Sequence, residues 1–286
     1  MIAAMGADQP VFVRYFLWLR QFFWVEPATL FDGWFGTNLA GGEQRIVSWQ
    51  SRSPVFTIIG QRVPQTLTVI GTAYLIGILI AVPIGIYSAY RQYSWFDQAG
   101  TLFAMIGFSV PTFFSGTLFI IIFAVWLGWF PTKYDTTLTV TDWHSFVKQM
   151  QQMALPVMTL GLANAAAISR YMRSSMLENM GQDYVRTARA KGMSERTVVL
   201  KHVLRNSMIP VVTVIALGIP SIFGGAIITE NLFGVNGIGA ALIGAIHAND
   251  IPMVQTLAFI FAVLIVVFNL IADVLYGLLD PRIRYE

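Results

Sequence analysis

The chain of 286 residues contains no cysteine. Disulfides and thiolate metal sites are therefore excluded, and the redox compartment cannot be read from it. Charge is scarce as well: Asp, Glu, Lys and Arg supply 12% of the residues, against about 25% in an ordinary soluble domain. None of the four lysines, Lys133, Lys148, Lys191 and Lys201, follows a glycine, so the G-x-x-x-x-G-K-[ST] loop that cradles phosphates is missing and the chain does not hydrolyse ATP itself. The histidines His144, His202 and His247 are scattered, without the H-E-x-x-H pair of a zinc site. Gly107-Phe108-Ser109 runs into Val110-Pro111, which is not the G-x-S-x-G of a serine hydrolase. Gly234-Val235-Asn236-Gly237-Ile238-Gly239 has no strand before it and the wrong order for a dinucleotide loop, and reads as a turn. There is no internal repeat, no low-complexity segment, and no basic n-region or apolar core of a secretory signal in the first ten residues.

What is present is apolar length. Hydrophobic residues make up 56% of the chain, and no Asp, Glu, Lys or Arg occurs in 63–90, 98–132, 149–169, 206–229 or 251–272. Each stretch can hold the roughly 20 residues of a membrane helix. The alternating segments of about 10 residues that mark a transmembrane barrel are absent. The expected fold is all-α and integral to the membrane, with five spans near 65–90, 101–128, 155–175, 208–229 and 254–279. Proline and glycine inside them (Pro83, Pro111, Pro220, Gly71, Gly77, Gly85) serve kinking and close packing, or gating.

Lys and Arg orient the spans. Arg91, eight cations between Arg170 and Arg205, and Arg282 and Arg284 fall on one side, while Lys133 and Lys148 are the cations of the short loop on the other. The basic 178–210 loop and the C-terminus are thus expected in the cytoplasm. Residues 1–64 then form an extracytoplasmic N-terminal segment, and 65–286 the transmembrane domain. An uneven number of spans leaves that segment to cross without a signal, which a further span upstream of Met1 would resolve. Val11–Trp24 is apolar and aromatic except for Arg14 and Arg20. It suits a helix lying in the interface, or an ordinary packed helix. The 131–150 and 230–253 loops face outward, the latter with an apolar, Gly-rich piece able to dip toward the membrane as a short helix. Cations placed between apolar spans do not form a nucleic-acid surface.

The 178–210 loop parses as helix, break, helix. Asp183 suits the positive end of the first helix, and Arg189 and Lys191 its negative end. Gly192 is placed to cap it in a left-handed conformation, and Ser194 to N-cap the next helix with Glu195 in the first turn. Small residues (Ala188, Ala190, Gly192) allow close approach of a partner, and Arg186, Arg189 and Lys191 can pair with its acidic or carbonyl groups. Alternatively, these cations only obey the positive-inside bias.

The run from Gln182 to Gly192, QDYVRTARAKG, resembles the signature loop of binding-protein-dependent ABC-transporter permeases, in the dipeptide/oligopeptide/nickel branch and its first permease subunit. Gly107–Phe114 (GFSVPTFF), Leu204-Arg205-Asn206 before Pro210, and Leu279–Arg284 (LDPRIR) agree with it. The resemblance extends over roughly Val11 to Arg284. It implies a type I ABC importer permease fold, of which five transmembrane helices are visible here and about six are expected, the first being missing. It also implies a second permease subunit forming a heterodimer, two cytoplasmic ABC ATPases that use ATP and Mg, and an external substrate-binding protein. The chain itself would bind no cofactor. The coupling residues so implied are Asp183, Tyr184, Arg186, Thr187, Ala188, Arg189, Ala190, Lys191, Gly192 and Ser194, centred on Ala188 and Gly192. The residues assigned to the translocation path are Ser109, Pro111 and Asn164, although for Asn164, as for Asn269, interhelical hydrogen bonding is the role favoured over facing the path. Where the wider superfamily has Glu-Ala-Ala, this chain has Arg186-Thr187-Ala188.

Rival classes are an ATP-independent channel or secondary carrier, and a membrane scaffold. Glu230, Asp250 and Asp273 fall at expected helix ends, which counts against a proton relay at mid-bilayer. Short peptides are the expected substrate from the branch, with nickel chelates, glutathione and small sugars also open.

Overall fold

The computed structural model describes residues 10–224 and 227–279. Arg282 and Arg284, and all but the first residue of the Leu279–Arg284 stretch, lie outside them. The described residues are helical apart from turns, short connections and one antiparallel bridge, Val47 to Pro54. Helix α1 (11–35) joins Val11–Arg20 to Glu26–Phe35 through a π-helical turn at Gln21–Val25. The others are α2 (Val55–Tyr90), α3 (Trp95–Ser109), α4 (Thr112–Trp126), α5 (Trp143–Met180), α6 (Asp183–Ala190), α7 (195–224), α8 (Ile227–Phe233), α9 (Ile238–His247) and α10 (Ile251–Leu279).

Four of these, α2, α5, α7 and α10, are long and apolar enough to cross a bilayer, and six spans are available if the broken pairs α3–α4 and α8–α9 each count as one. Four of the five expected spans fall on α2, α5, α7 and α10, with longer helices than the charge-free runs suggested, although α7 ends at 224 and the last expected residues, 227–229, belong to α8. The expected span at 101–128 is different: it bends by 105° between α3 and α4. Val110 is extended (φ −85°, ψ 122°) and Pro111 is the N-cap of the next helix. Proline lacks the N–H to continue α3 and pushes its predecessor out of the helical region. Prolines 64, 83, 156, 210 and 220 lie inside helices, and π-helical stretches at Leu67–Gly71 and Val198–Val203 take up local irregularity.

The chain divides into two compact units. The larger, Gln65–Ala240 with Phe261 onward, is organised around α5, which packs along the 65–90 part of α2. Small residues let the two backbones meet: a Cβ on Gly77 would lie 2.9 Å from Asn164 Cβ, and one on Gly85 would lie 2.5 Å from Met172 Cβ. Tyr74 on α2 donates to the Ile215 carbonyl of α7 at 2.6 Å. Ser175 on α5 and Ser207 on α7 each donate to the other's carbonyl, at 3.0 and 3.2 Å. Buried Glu230 accepts from the Thr66 hydroxyl at 2.8 Å and the Ala240 amide at 2.9 Å, and Thr66 accepts from the Ile238 amide at 2.9 Å. Gly234, at φ +72°, opens the turn that follows α8.

The smaller unit holds residues 10–64 and 241–260 among those described. Fully buried Glu26 accepts from Arg45 at 2.7 and 3.1 Å and from the Ile46 amide at 3.0 Å. Asp250 accepts from Ser48 and from the Trp49 amide at 3.0 Å. Trp18, Phe22, Phe23 and Phe56 of this unit pack edge-on around Phe259 and one another, whereas Phe12, Phe16 and Trp34 of α1 are exposed.

Candidate functional site

The basic 178–210 stretch is nearly all helix. Between α5 and α7 it leaves only 181–182, the short helix α6, and the turn 191–194. Gln182 is extended at the N-cap of α6, and Asp183 occupies its first turn. Gly192, just past the C-cap residue Lys191, has φ +74°. That conformation costs glycine little and an L side chain more. The Met193 amide reaches back to the Ala188 carbonyl at 3.4 Å, and the Gly192 amide to the Arg189 carbonyl at 2.9 Å. Ser194 then N-caps α7, accepting from the Thr197 amide at 3.4 Å. Both cap residues lie where the sequence places them.

The helix has two unlike sides. Val185 and Ala188 are buried, in one hydrophobic cluster with Val198, Val199 and Val203 of α7 and Met176 of α5. Ala188 is only 5% exposed, so this expected centre of close approach points into the chain's own core. Its spacing of three from Val185 puts both on one helical face. Outward approach is left to Ala190 and Gly192, which are exposed together with Asp183, Arg186, Thr187, Lys191 and Ser194.

Polar bonds fasten the same helix at each end. Tyr184 donates to Asn179 Oδ1 at 2.8 Å, and Asn179 donates to the Ser175 carbonyl at 2.9 Å. Arg189 forms a fork with Glu195, Nη2 to Oε1 at 2.7 Å and Nε to Oε2 at 3.1 Å. This bonding holds the Arg189 guanidinium above its ordinary value. Arg186 makes a looser pair with Asp183 at 3.6 Å, both side chains largely exposed. Asn179 and Glu195 were not apparent as partners in sequence, although Glu195 was legible as a first-turn acid.

The three residues assigned to a path are not gathered. Ser109 lines a cavity of about 470 Å³ with Ser88, Thr101, Phe108, Arg170 and Ser174. Pro111 is exposed at the α3–α4 bend, and half-buried Asn164 lies against Gly77 in the α2–α5 contact. Among the described residues, no group of three or more His, Asp or Glu is placed to hold a metal ion.

Residues 81–285 match the family model described as "Binding-protein-dependent transport system inner membrane component". The chain is 37% identical over 284 residues to an oligopeptide transport system permease protein, AppB, of Bacillus subtilis, covering 99% of this chain and 84% of that one. It is 36% identical over 282 residues to a glutathione transport system permease protein, GsiC, of Salmonella choleraesuis, covering 99% and 82%. The structure titled "Crystal structure of an amino acid ABC transporter with histidines" superposes with a TM-score of 0.56 at 13% identity, covering 77% of this chain and 94% of that one, and so shares the fold. The chain therefore belongs to the binding-protein-dependent transport system inner membrane components, and is a multi-pass membrane subunit of an ABC transporter rather than an enzyme.

Proposed function

We propose that this subunit forms half of the translocation path of an ATP-driven importer of short peptides, and that the exposed side of α6 is where a cytoplasmic ATPase grips it. The observation that carries this reading is the two-sidedness of α6. Val185 and Ala188 fix it to the core, while Asp183, Arg186, Ala190 and Lys191 are left outward in a segment between two spans. A short helix with an apolar root and a charged outer face is a handle: it is anchored well enough to carry force and polar enough to be released into water.

In this reading the 178–210 segment and the C-terminus are cytoplasmic, in keeping with the concentration of Lys and Arg there. The complete machine contains a second permease subunit, two ATPases that use ATP and Mg, and an external binding protein. ATP binding draws the ATPases together, the α6 helices follow, and the spans attached to them turn the path from inward-open to outward-open. Hydrolysis resets the inward state. The peptide assignment rests on the names of the relatives, an oligopeptide and a glutathione permease, both of whose named substrates carry peptide bonds. Ser109, Pro111 and Asn164 remain the proposed path residues, with Ser109 the best placed because it opens onto a cavity.

The test is Ala190→Trp, which adds bulk to the exposed face without the backbone strain that a side chain at Gly192 would bring. The variant should insert normally but fail to retain the ATPase on purification, and should lose ATP-driven uptake into vesicles. Full retention and uptake would reject the grip.

A further inference from the structure

Arg189 has the type and position of a docking cation, yet its guanidinium is already engaged. Both nitrogens on one edge are bonded to Glu195, six residues away across the Gly192 turn. A two-point fork fixes the plane of the guanidinium as well as its distance, which a single-point lysine contact does not. Arg186 by contrast makes a looser pair, at 3.6 Å from Asp183.

The turn that Arg189 spans is the mechanical weak point. Residues 191–194 form the non-helical link between α6 and α7, and Gly192 is their most permissive residue. On the inner side the link is closed by Val185 and Ala188 against Val198, Val199 and Val203. On the outer side it is closed by the Arg189–Glu195 fork. With both closures, α6 and the first turns of α7 form one lever. Without the fork, the apolar contact, the backbone bonds across the turn and the Tyr184–Asn179 bond remain, and α6 is held less tightly to α7.

We infer that Arg189 is a positioning residue: it acts through Glu195 to lock α6 to α7, so that a displacement delivered at Ala190 and Lys191 reaches the spanning part of α7. Docking itself is left to the outward residues. This inference rests on the coupling reading of α6. An exposed ion pair contributes up to about 1 kcal/mol, or about fivefold in a population. That is enough to blunt transmission and too little to unfold the subunit.

The experiment uses the assembled transporter in lipid vesicles and the external binding protein purified with its bound load. It reads two quantities: ATPase retained by the membrane complex, and the fold-stimulation of ATP hydrolysis by the binding protein. Arg189→Ala and Glu195→Ala should each retain the ATPase and lower the stimulation about fivefold. The reversed pair Arg189→Glu with Glu195→Arg should restore most of it. Loss of the ATPase in Arg189→Ala, a silent Glu195→Ala, or a reversed pair no better than the singles would each overturn the inference and make Arg189 a direct contact or a bystander. Ala190→Trp is run alongside. If it is silent, the coupling reading fails and takes the inference with it. If it uncouples while Arg189→Ala is silent, only the inference fails.

Discussion

Arg173 on α5 grips Asp97 in the first turn of α3 with two parallel bonds, Nε to Oδ1 at 2.5 Å and Nη2 to Oδ2 at 2.8 Å. Asp97 also accepts from the Tyr93 amide at 2.8 Å, and its side chain is almost fully buried, whereas Arg173 is partly exposed. The two partners are therefore unequal. Removing Arg173 strands a buried carboxylate, while removing Asp97 leaves a cation that can turn to water. Arg173→Met should lower stability by about 2 kcal/mol, somewhat less than a fully buried pair loses, and Asp97→Asn by less. Thermal unfolding of the two variants in detergent should rank them in that order.

The α2–α5 contact predicts opposite outcomes for two glycines on one helix. A Cβ at Gly85 meets Met172 Cβ at 2.5 Å and the Ser169 carbonyl at 2.8 Å, whereas one at Gly71 meets nothing within 4 Å. Gly85→Ala should destabilise by about 1–3 kcal/mol through overpacking. Gly71→Ala should be neutral or stabilising by up to about 1 kcal/mol, because alanine suits a helix better. Paired melting curves check both signs.

Thr66 is shared between the Glu230 carboxylate and the Ile238 amide, and it is fully buried. Thr66→Val keeps the shape and deletes both bonds, leaving the buried Ile238 amide without its acceptor, at about 1–3 kcal/mol. Amide exchange should accelerate at Ile238 and Ala240, with little change in α6. Uniform acceleration across the subunit would deny Thr66 this local role.

Two carboxylates in the 131–150 segment give a pH dependence. Hydrogen bonds from the Thr137 hydroxyl and amide hold Asp135 below the usual carboxylate range, and those from Ser145 do the same for Asp142. Each folded value lies below the unfolded one, near 3.9. The stabilisation is thus present above that value and lost as pH falls through the depressed folded values. Protection of the Thr137 and Ser145 amides, taken relative to the intrinsic exchange rate at each pH, should be the same at pH 5 and 7 and should fall only below the ordinary Asp range. A loss of protection between pH 7 and 5 would contradict the assignment.

The sequence showed the parts of this molecule whose signals are local. Charge-free length marked α2, α5, α7 and α10, because burial in lipid depends on composition alone. Gly192 and Ser194 were legible because a left-handed stop and an N-cap depend on the residue itself. The 105° break at Val110-Pro111 was not legible as a bend: hydropathy carries no direction, and the prolines at 83 and 156 sit inside continuous helices. The inward turn of Ala188 depends on which side of α6 meets α7, and Arg189–Glu195 depends on the course of the turn between them. Thr66 and Glu230 are 164 positions apart, and no pattern within a single sequence joins them.

The most direct measurement of the central claim uses the absence of cysteine from these 286 residues, which makes an introduced thiol unique within this chain. Single substitutions Ala190→Cys, Lys191→Cys and, as the inward control, Val185→Cys are made in the assembled transporter and exposed to a short thiol–amine cross-linker. Ala190→Cys and Lys191→Cys should cross-link to the ATPase subunit, with a yield that changes on adding ATP, and Val185→Cys should not. Absence of ATPase cross-links at both outward positions, or their reaction with an impermeant thiol reagent added only to the extracytoplasmic side, would contradict the account.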